Sequence, residues 1–215
     1  MEKMLKNGGI NVGNLREFDM NYNKKVAGVD EAGRGPLAGP VVAAAVIIEN
    51  YIEEFEAIND SKKLTEKKRE ELYPLIVENC KIGVGIVDCR RIDEINILNA
   101  TFEAMKKAVD EIGTNYEVVL VDGNKKIKGF EGNQECIVKG DGKSLSIAAA
   151  SIIAKVTRDR IMQETAEKYP HYNFEKHKGY GTKVHVEKIL EHGPCEEHRK
   201  SFLKKIFERN GKLAD

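Results

Sequence analysis

Two adjacent carboxylates, Asp30 and Glu31, follow a short apolar stretch and precede a glycine-flanked arginine in the run VAGVDEAGRGPLAGP, residues 26–40. Gly33 and Gly35 permit backbone angles that other residues resist, and they let a ligand approach the main chain closely. Paired acids beside open amide groups are suited to binding a divalent metal next to a phosphate. A charged hairpin turn would account for one acid and one glycine, but it leaves the rest of this pattern unexplained.

Two further acids lie where elements are predicted to end or begin. Asp122 closes the apolar run VVLV, and Asp141 lies in KGDGKS just before a long helical segment. A carboxylate at the end of a buried strand must meet water, a partner or a metal, because an unpaired buried charge is very costly. If the strands that carry Asp30 and Asp122 are neighbours, both acids reach the same end of the sheet. Such oxygen ligands favour Mg²⁺ or Mn²⁺ over zinc.

These acids also have structural interpretations. Asp141 could be only the N-cap of the following helix, since Asp is a favoured capping residue, and Asp122 before Gly123 could simply begin a turn. Together with the other acids, metal ligation is the better interpretation of Asp141. Asp159, which follows Arg158 inside the long helix, is interpreted as a member of a structural ion pair.

The elements that must position these acids follow from periodicity and turn residues. Apolar runs predict five strands, and apolar positions at three- and four-residue steps predict the helices. A first cluster of strands followed by alternating helices and strands is typical of an α/β sandwich with a mixed sheet. The predicted strands are 26–30, 41–48, 81–87, 117–122 and 135–138, and the predicted helices are 66–79, 93–112, 143–168, 182–191 and 195–209.

Length and composition limit the class of protein. With 215 residues, 41% of them apolar, the chain is predicted to form one domain with a substantial core. No apolar run approaches the ~20 residues of a membrane helix, and the polar start predicts no signal peptide. We therefore expect a cytoplasmic monomer without a membrane partner. The four cysteines form no CxxC pair, which argues against a zinc site.

The charge of the chain is balanced, with 35 basic and 35 acidic residues. That balance argues mildly against a nucleic-acid ligand, because such proteins usually carry a basic excess. Basic residues nevertheless cluster in residues 176–209 and at Lys125, Lys126 and Lys128. Near an acidic metal site, such clusters would help to attract a polyanion.

Several short motifs follow the first one in a fixed order. They are NDSKKL at 59–64, VDG at 121–123, KGD at 139–141, IAAASIIAKVTRD at 147–159 and HKGYGT at 177–182. Each motif is weak alone, but the ordered series is highly specific. The series resembles ribonuclease HII, the bacterial type 2 ribonuclease H, over roughly residues 24–190 of this chain.

The resemblance implies an α/β ribonuclease H-like fold, with a five-stranded mixed sheet flanked by helices and a C-terminal helical extension. It implies an endonuclease that hydrolyses the RNA strand of RNA–DNA hybrids and also cuts DNA containing ribonucleotides, 5′ to a single ribonucleotide. Two Mn²⁺ or Mg²⁺ ions would assist, leaving 3′-hydroxyl and 5′-phosphate ends. The catalytic and metal-binding roles fall on Asp30, Glu31, Asp122 and Asp141. Residues 1–23, which show no clear period, would be a loose N-terminal extension, 24–190 the catalytic domain and 191–215 a helical tail of the same domain.

Two glycine-flanked loops are the candidates for substrate recognition. The resemblance implies that the 2′-hydroxyl, the group that distinguishes RNA from DNA, is recognised by Gly33, Arg34, Gly35 and Tyr180. The Arg34 guanidinium could also bind a phosphate, and the Tyr180 ring could stack on a sugar or base. Further candidates for phosphate contacts are Lys62 and Lys63.

Alternative interpretations concern the family and the histidines. Ribonuclease HIII, a related family, lacks the Gly-Arg-Gly-Pro loop and has an extra N-terminal domain, whereas only 23 residues precede the catalytic domain predicted here. A non-catalytic hybrid-binding module of the same fold is disfavoured by the four acids. His177 and His185 could be metal ligands, but isolated histidines in lysine-rich loops are usually exposed to solvent.

Overall fold

A computed structural model describes residues 15–211 as a mixed five-stranded sheet in the order β3-β2-β1-β4-β5. β1 runs antiparallel to β2 and parallel to β4, so the mixed sheet predicted from the pattern of elements is confirmed. The strands are β1 Val26–Ala32, β2 Val41–Ile48, β3 Cys80–Val87, β4 Val118–Asp122 and β5 Gln134–Ile137. The helices are α1 Leu15–Met20, α2 Glu66–Asn79, α3 Cys89–Glu111, α4 Leu145–Lys168, α5 Phe174–His177, α6 Lys183–His192 and α7 Lys200–Arg209.

Helices cover both faces of the sheet, which explains why the central strands are apolar at successive positions. On one face, Val29 of β1 and Val121 of β4 pack with Ala104 of α3 in a buried cluster. On the other face, Leu120 of β4 packs with Ile147 of α4. Side chains that alternate along β1 and β4 therefore divide between an α3 face and an α4 face.

The start of α4 lies directly against β1 at Gly28. A Cβ atom at this glycine would overlap the backbone of Ser146 and Ile147, so a larger residue here would push the helix away from the sheet. Small residues such as Ala148 continue this close contact along the buried face of α4. The contact brings the loop that precedes α4 to the ends of β1 and β4.

The predicted helix 93–112 begins earlier and is interrupted. Asp88 caps α3 by accepting a hydrogen bond from the Arg91 amide at 2.7 Å, so the helix starts at Cys89. Asn96 then leaves the helical conformation with φ of 65°, and its side chain accepts hydrogen bonds from the next turn. Asn96 is therefore an N-cap of the second part of α3, and the apolar periodicity on either side of it gave no sign of the break.

The predicted N-terminal extension is partly helical. Residues 1–14 and 212–215 lie outside the described part of the chain, but residues 15–20 form α1. Leu15 is buried, and Asp19 accepts a hydrogen bond from the Ser146 amide at 2.8 Å. The expectation of a loose segment is therefore wrong for α1, because this short helix attaches to the start of α4.

The C-terminal helix is shorter than the predicted range of 195–209. The helix α7 begins only at Lys200, where Asp93 accepts a hydrogen bond from the backbone amide at 2.8 Å. Residues 195–199 form an irregular segment, and His198 makes an isolated β-bridge with Ala38. Leu203 is buried against the body of the protein, so this part of the chain lies on the core. Within residues 15–211, no helix has the length and apolar character that crossing a bilayer requires.

Two histidines are buried, which corrects the expectation that His185 lies in solvent. The Nε2 atoms of His185 and His198 lie 3.1 Å apart, and His185 Nδ1 lies 2.9 Å from the Tyr180 carbonyl. The Cys195 amide donates to His198 Nδ1 at 2.9 Å. This chain of bonds fits two neutral rings, with His198 donating to His185, which donates to Tyr180. Protonation of either ring would disrupt the chain.

We expect the free energy of unfolding to fall as the pH decreases below neutrality. Burial and, to a smaller extent, the charges of neighbouring histidines lower the pKa of both His185 and His198 to about 4. The neutral folded form is thus fully stable above the usual histidine pKa and loses stability as the pH falls toward 4. Linkage gives a loss of roughly 2 kcal/mol per histidine between about pH 7.5 and 5. Equal urea unfolding free energies at both pH values would contradict this expectation.

Candidate active site

Three carboxylates meet at the end of the sheet where β1 and β4 finish. One oxygen of each of Asp30, Asp122 and Asp141 lies within 4.8 Å of the others. The register explains the first two, because Val29 pairs with Val121 in the parallel β1–β4 ladder and the next residues are the acids. Side chains alternate between the two faces along a strand, and both acids lie on the face that packs against α4. The neighbouring strands and converging acids expected from the sequence are therefore present.

Asp141 reaches this site from a short 3₁₀ turn, Gly140–Gly142, that precedes α4. The Gly140 amide donates a hydrogen bond to Asp122 Oδ1 at 2.7 Å, which attaches the turn to β4. The helix is capped by Ser144, whose hydroxyl accepts from the Ile147 amide at 3.2 Å. Asp141 is therefore not the N-cap, and its side chain remains available to the acidic site.

Glu31 lies beside the other acids but points to the α3 face of the sheet. Side chains alternate along a strand, so adjacent Asp30 and Glu31 leave β1 on opposite faces. Glu31 accepts a hydrogen bond from Arg34 Nη1 at 3.3 Å and lines a cavity of about 170 Å³ between the strand ends and α3. Asp122 and Phe102 line the same cavity. Glu31 is thus next to the three-acid cluster without belonging to it.

Burial and mutual repulsion make it unfavourable for these carboxyl groups to be ionised together. Burial raises the pKa of Asp30 well above its usual value, and the charges of Glu31 and Asp122 raise it further. Burial and the charge of Asp122 also raise the pKa of Asp141. Among residues 15–211, the only lysine or arginine nitrogen within 4.0 Å of these three carboxylates is Lys62 Nζ, 3.6 Å from Asp141. A cluster of hard oxygen donors with so little positive charge fits a divalent cation such as Mg²⁺ or Mn²⁺.

Burial also affects the pKa of Glu31, although the positively charged Arg34 side chain lies beside it. Burial raises the pKa of Glu31, whereas the charge of Arg34 and its hydrogen bond lower it. The net direction is upward, so Arg34 offsets the burial only in part. Glu31 could therefore also contribute to holding a cation.

A pair of serines lies beside Asp30. The Ser151 side chain of α4 lowers the pKa of Asp30 and so offsets part of the effect of burial. Ser151 Oγ also lies 2.7 Å from Ser61 Oγ, and both serines are buried. Ser151 was not among the site residues predicted from the sequence, although it lies in the motif at 147–159. A serine among apolar residues on the buried side of a helix was the available signal.

The loop that contains NDSKKL lies next to Asp141. Lys62 forms the ion pair described above, and Asp60 is close enough to raise the pKa of Asp141. Lys63 is exposed and forms no ion pair with the described part of the chain. The structure thus brings Lys62 to the acids and leaves Lys63 in solvent. The role of Asp60 was not predicted, because an Asp before Ser usually indicates only a turn.

The two predicted substrate-recognition loops meet beside the acids. Gly33 has φ of 97°, which favours glycine, and a Cβ atom there would overlap Arg158. A Cβ atom on Gly35 would lie 3.9 Å from Cε1 of Tyr180, so the second loop lies directly over the first. Tyr180 is 43% exposed, which leaves part of its surface accessible to a ligand. Arg34 is half-exposed and bonded to Glu31.

Asp159 lies outside the acidic site. Its carboxylate is 2.6 Å from Lys155 Nζ and 3.8 Å from Arg69. The interpretation of Asp159 as a structural ion-pair residue is confirmed. The ammonium group of Lys155 is therefore engaged within the protein.

Comparisons with known proteins agree with this arrangement. The family model described as Ribonuclease HII matches residues 27–209. Ribonuclease HII of Fusobacterium nucleatum is 61% identical over 196 residues, which cover 89% of this chain and 91% of that protein. Ribonuclease HII of Caldanaerobacter subterraneus is 59% identical over 196 residues, covering 90% and 78%.

A solved structure extends the agreement to three dimensions. The ribonuclease H2 of Pyrococcus horikoshii superposes with a TM-score of 0.70 at 32% identity, covering 87% of this chain and 99% of that one. The ribonuclease H-like fold expected from the motifs is therefore confirmed. The ordered motifs, the converging acids and the matched family model together show that this chain belongs to the ribonuclease HII family.

Proposed function

We propose that this ribonuclease H, an endonuclease of RNA–DNA hybrids, also cuts duplex DNA 5′ to a single embedded ribonucleotide, leaving 3′-hydroxyl and 5′-phosphate ends. The observation that carries the proposal is the contact between the two glycine loops at Gly35 and Tyr180. It joins an open backbone and an aromatic ring near the acids. A site that recognises a single sugar needs a local surface of this kind. Recognition of a long hybrid by its overall shape does not need one.

The four acids form the reactive part of the proposed site. Asp30, Asp122 and Asp141 would hold divalent ions from the α4 side, and Glu31 would reach them from the α3 side. When bound, Mg²⁺ or Mn²⁺ ions supply the positive charge that activates water and stabilises the leaving oxygen of a phosphodiester. The Glu31 amide donates to Asp30 and the Gly140 amide donates to Asp122, each at 2.7 Å, so these acids need little rearrangement.

The remaining residues would hold the substrate. Lys62 contacts Asp141 only weakly at 3.6 Å, so its ammonium group can turn to a phosphate once the acids are neutralised. Arg34 can likewise exchange Glu31 for a phosphate oxygen, because its side chain is half-exposed. Gly33, Gly35 and Tyr180 would surround the sugar that carries the 2′-hydroxyl. Lys63 would contribute only to the general attraction of the polyanion.

Strand cleavage on three matched duplexes tests the proposal. The duplexes share one sequence and contain no ribonucleotide, one ribonucleotide or a continuous RNA strand. In Mg²⁺ or Mn²⁺ we expect one cut 5′ to the single ribonucleotide, several cuts in the RNA strand and none in DNA. Cutting of the RNA strand alone would reject the single-ribonucleotide activity. Binding without cutting in either metal would favour the non-catalytic hybrid-binding module.

A further inference from the structure

Two arginines with no carboxylate partner lie behind the first glycine loop. Arg158 of α4 and Arg199, just before α7, are both fully buried. Within residues 15–211, neither guanidinium forms an ion pair. An isolated buried charge is very costly, so these groups must be compensated by other polar atoms. Backbone carbonyl groups supply that compensation.

Arg199 binds the inner side of the loop through all three of its nitrogen atoms. The loop, residues 33–40, curves around the guanidinium so that its carbonyl oxygens point inward. The six hydrogen bonds run from Nε to Gly39 at 3.0 Å, from Nη1 to Arg34 at 3.1 Å and Pro36 at 2.8 Å, and from Nη2 to Gly33 at 2.6 Å, Gly39 at 2.8 Å and Pro40 at 3.1 Å.

Arg158 joins this loop to the loop that carries Tyr180. Its Nε donates to the Pro40 carbonyl at 3.0 Å and its Nη2 to the Ala38 carbonyl at 3.1 Å. Its Nη1 donates to the Lys178 carbonyl at 3.0 Å, two residues before Tyr180. The guanidinium carbon lies 5.8 Å from the centre of the Tyr180 ring. Together with the hydrogen bond from the Leu37 amide to the Gly179 carbonyl at 2.8 Å, this side chain sets the spacing between the two candidate substrate loops.

The inward carbonyls determine where the amide groups point. In a planar trans peptide unit, the C=O and N–H bonds point in opposite directions. Because the carbonyls of Gly33 and Arg34 face Arg199, the amides of Arg34 and Gly35 face away from it. Neither amide donates to an acceptor within the described residues. The loop thus presents two consecutive free donors on its outer side, where Gly35 adjoins Tyr180.

We propose that Arg199, supported by Arg158, is a positioning residue that keeps the Arg34 and Gly35 amides aimed at the 2′-hydroxyl oxygen of the substrate ribonucleotide. This inference rests on the proposed function. Bonds from a charged group to the carbonyl side of a peptide also polarise its N–H, which makes the outward amides better donors. Arg199 itself touches no substrate.

Lysine cannot replace arginine in this position. Burial and the charge of Arg158 lower the pKa of Arg199 to about 9, so the guanidinium stays protonated at neutral pH. Arginine offers five N–H donors in a rigid plane, whereas lysine offers three on one atom. Arg199→Lys keeps the positive charge but cannot hold all the carbonyls of the loop. This substitution therefore separates loop geometry from charge.

The test compares Arg199→Lys with wild type in binding and in single turnovers. Without metal, the wild type should prefer the single-ribonucleotide duplex over the all-DNA duplex, and Arg199→Lys should lose this preference. Its affinity for the all-DNA duplex should stay within about twofold, because phosphate contacts elsewhere supply it. With metal, its rate on the single ribonucleotide should fall about a hundredfold, as for a reacting group misplaced by about 1 Å. Arg90→Lys, at an exposed ion pair with Glu196, is the control.

A purely structural role would give another pattern. If Arg199→Lys retains the ribonucleotide preference, or loses activity equally on the single ribonucleotide and the RNA strand, the inference is wrong. A wild type that cuts the RNA strand but not the single ribonucleotide would instead refute the proposed function. The two failures are therefore distinguishable.

A measurement on the wild type covers the case in which Arg199→Lys does not fold. In metal-free buffer, the backbone amide resonances of Arg34 and Gly35 should shift when the single-ribonucleotide duplex is added. The all-DNA duplex should shift them much less, because it lacks the acceptor oxygen. Equal shifts with both duplexes would overturn the inference.

Discussion

Replacing Asp30 or Asp122 by asparagine is expected to reduce the rate of strand cleavage by about a thousandfold while leaving the fold intact. Each acid lies in the three-carboxylate cluster and is inferred to hold divalent metal. A bound metal supplies several kcal/mol of transition-state stabilisation, and about 4 kcal/mol corresponds to a factor of a thousand. Single-turnover cleavage of a continuous RNA–DNA hybrid in Mn²⁺ measures the loss.

Thermal unfolding provides a readout that does not depend on catalysis. Mn²⁺ should raise the melting temperature of the wild type, because a ligand that binds only the folded state stabilises it. The rise should be much smaller for Asp30→Asn. Without metal, the variant should be at least as stable as wild type, since the substitution removes a buried charge that its neighbours repel.

A carboxylate elsewhere serves as the matched control. Asp110 is an exposed residue of α3 that pairs with Lys106 at 2.6 Å, and Asp110→Asn should leave both cleavage and the Mn²⁺ effect unchanged. Folded Asp30→Asn protein with nearly wild-type cleavage would remove this acid from the mechanism. Both Asp30→Asn and Asp110→Asn should still bind the hybrid, because contacts elsewhere to the nucleic-acid backbone provide most of the affinity.

Replacing Tyr180 by alanine should slow cleavage of the single-ribonucleotide duplex by about a hundredfold and affect the continuous RNA strand less. The ring lies over Gly35 and is accessible to substrate. A single ribonucleotide offers one register, so a displacement of about 1 Å acts directly on the reacting phosphate. A continuous RNA strand offers many alternative registers.

Two further variants interpret that result. Tyr180→Phe keeps the ring and removes the phenol, so nearly wild-type rates would assign the effect to stacking. Tyr73 of α2, which lies beneath the guanidinium of Arg160, provides an aromatic control. Tyr73→Ala should slow the cleavage of neither substrate selectively. Small and equal losses on both substrates for Tyr180→Ala would show that Tyr180 does not recognise the junction.

The sequence predicted most of the strands and the approximate places of the acids, because both depend on local patterns. The strand predicted at 41–48 matches β2, and the helix predicted at 66–79 matches α2, in which Pro74 causes no interruption. Alternation and helical spacing are set by residues a few positions apart, so the chain shows them without its fold. The ordered acid motifs are local in the same sense.

Only the tertiary structure assigned the acids to faces of the sheet. Adjacent Asp30 and Glu31 were treated as one pair, yet β1 places them on opposite faces. The decision depends on which helix covers which face, and therefore on contacts between distant parts of the chain. The cap of α4 was similarly ambiguous until Ser144 was seen to accept the hydrogen bond.

Buried polar groups were the least predictable part of the protein. Arg199 and His198 lie in a segment that is rich in charged residues and was predicted to be a helical tail, but both are buried. Arg199 binds carbonyls about 160 residues earlier in the chain, as at Gly39, and local sequence carries no signal of such a contact. The sequence alone therefore determined which residues could perform the chemistry. The folded chain decided which backbone groups hold them in place, because those bonds join segments that meet only in the tertiary structure.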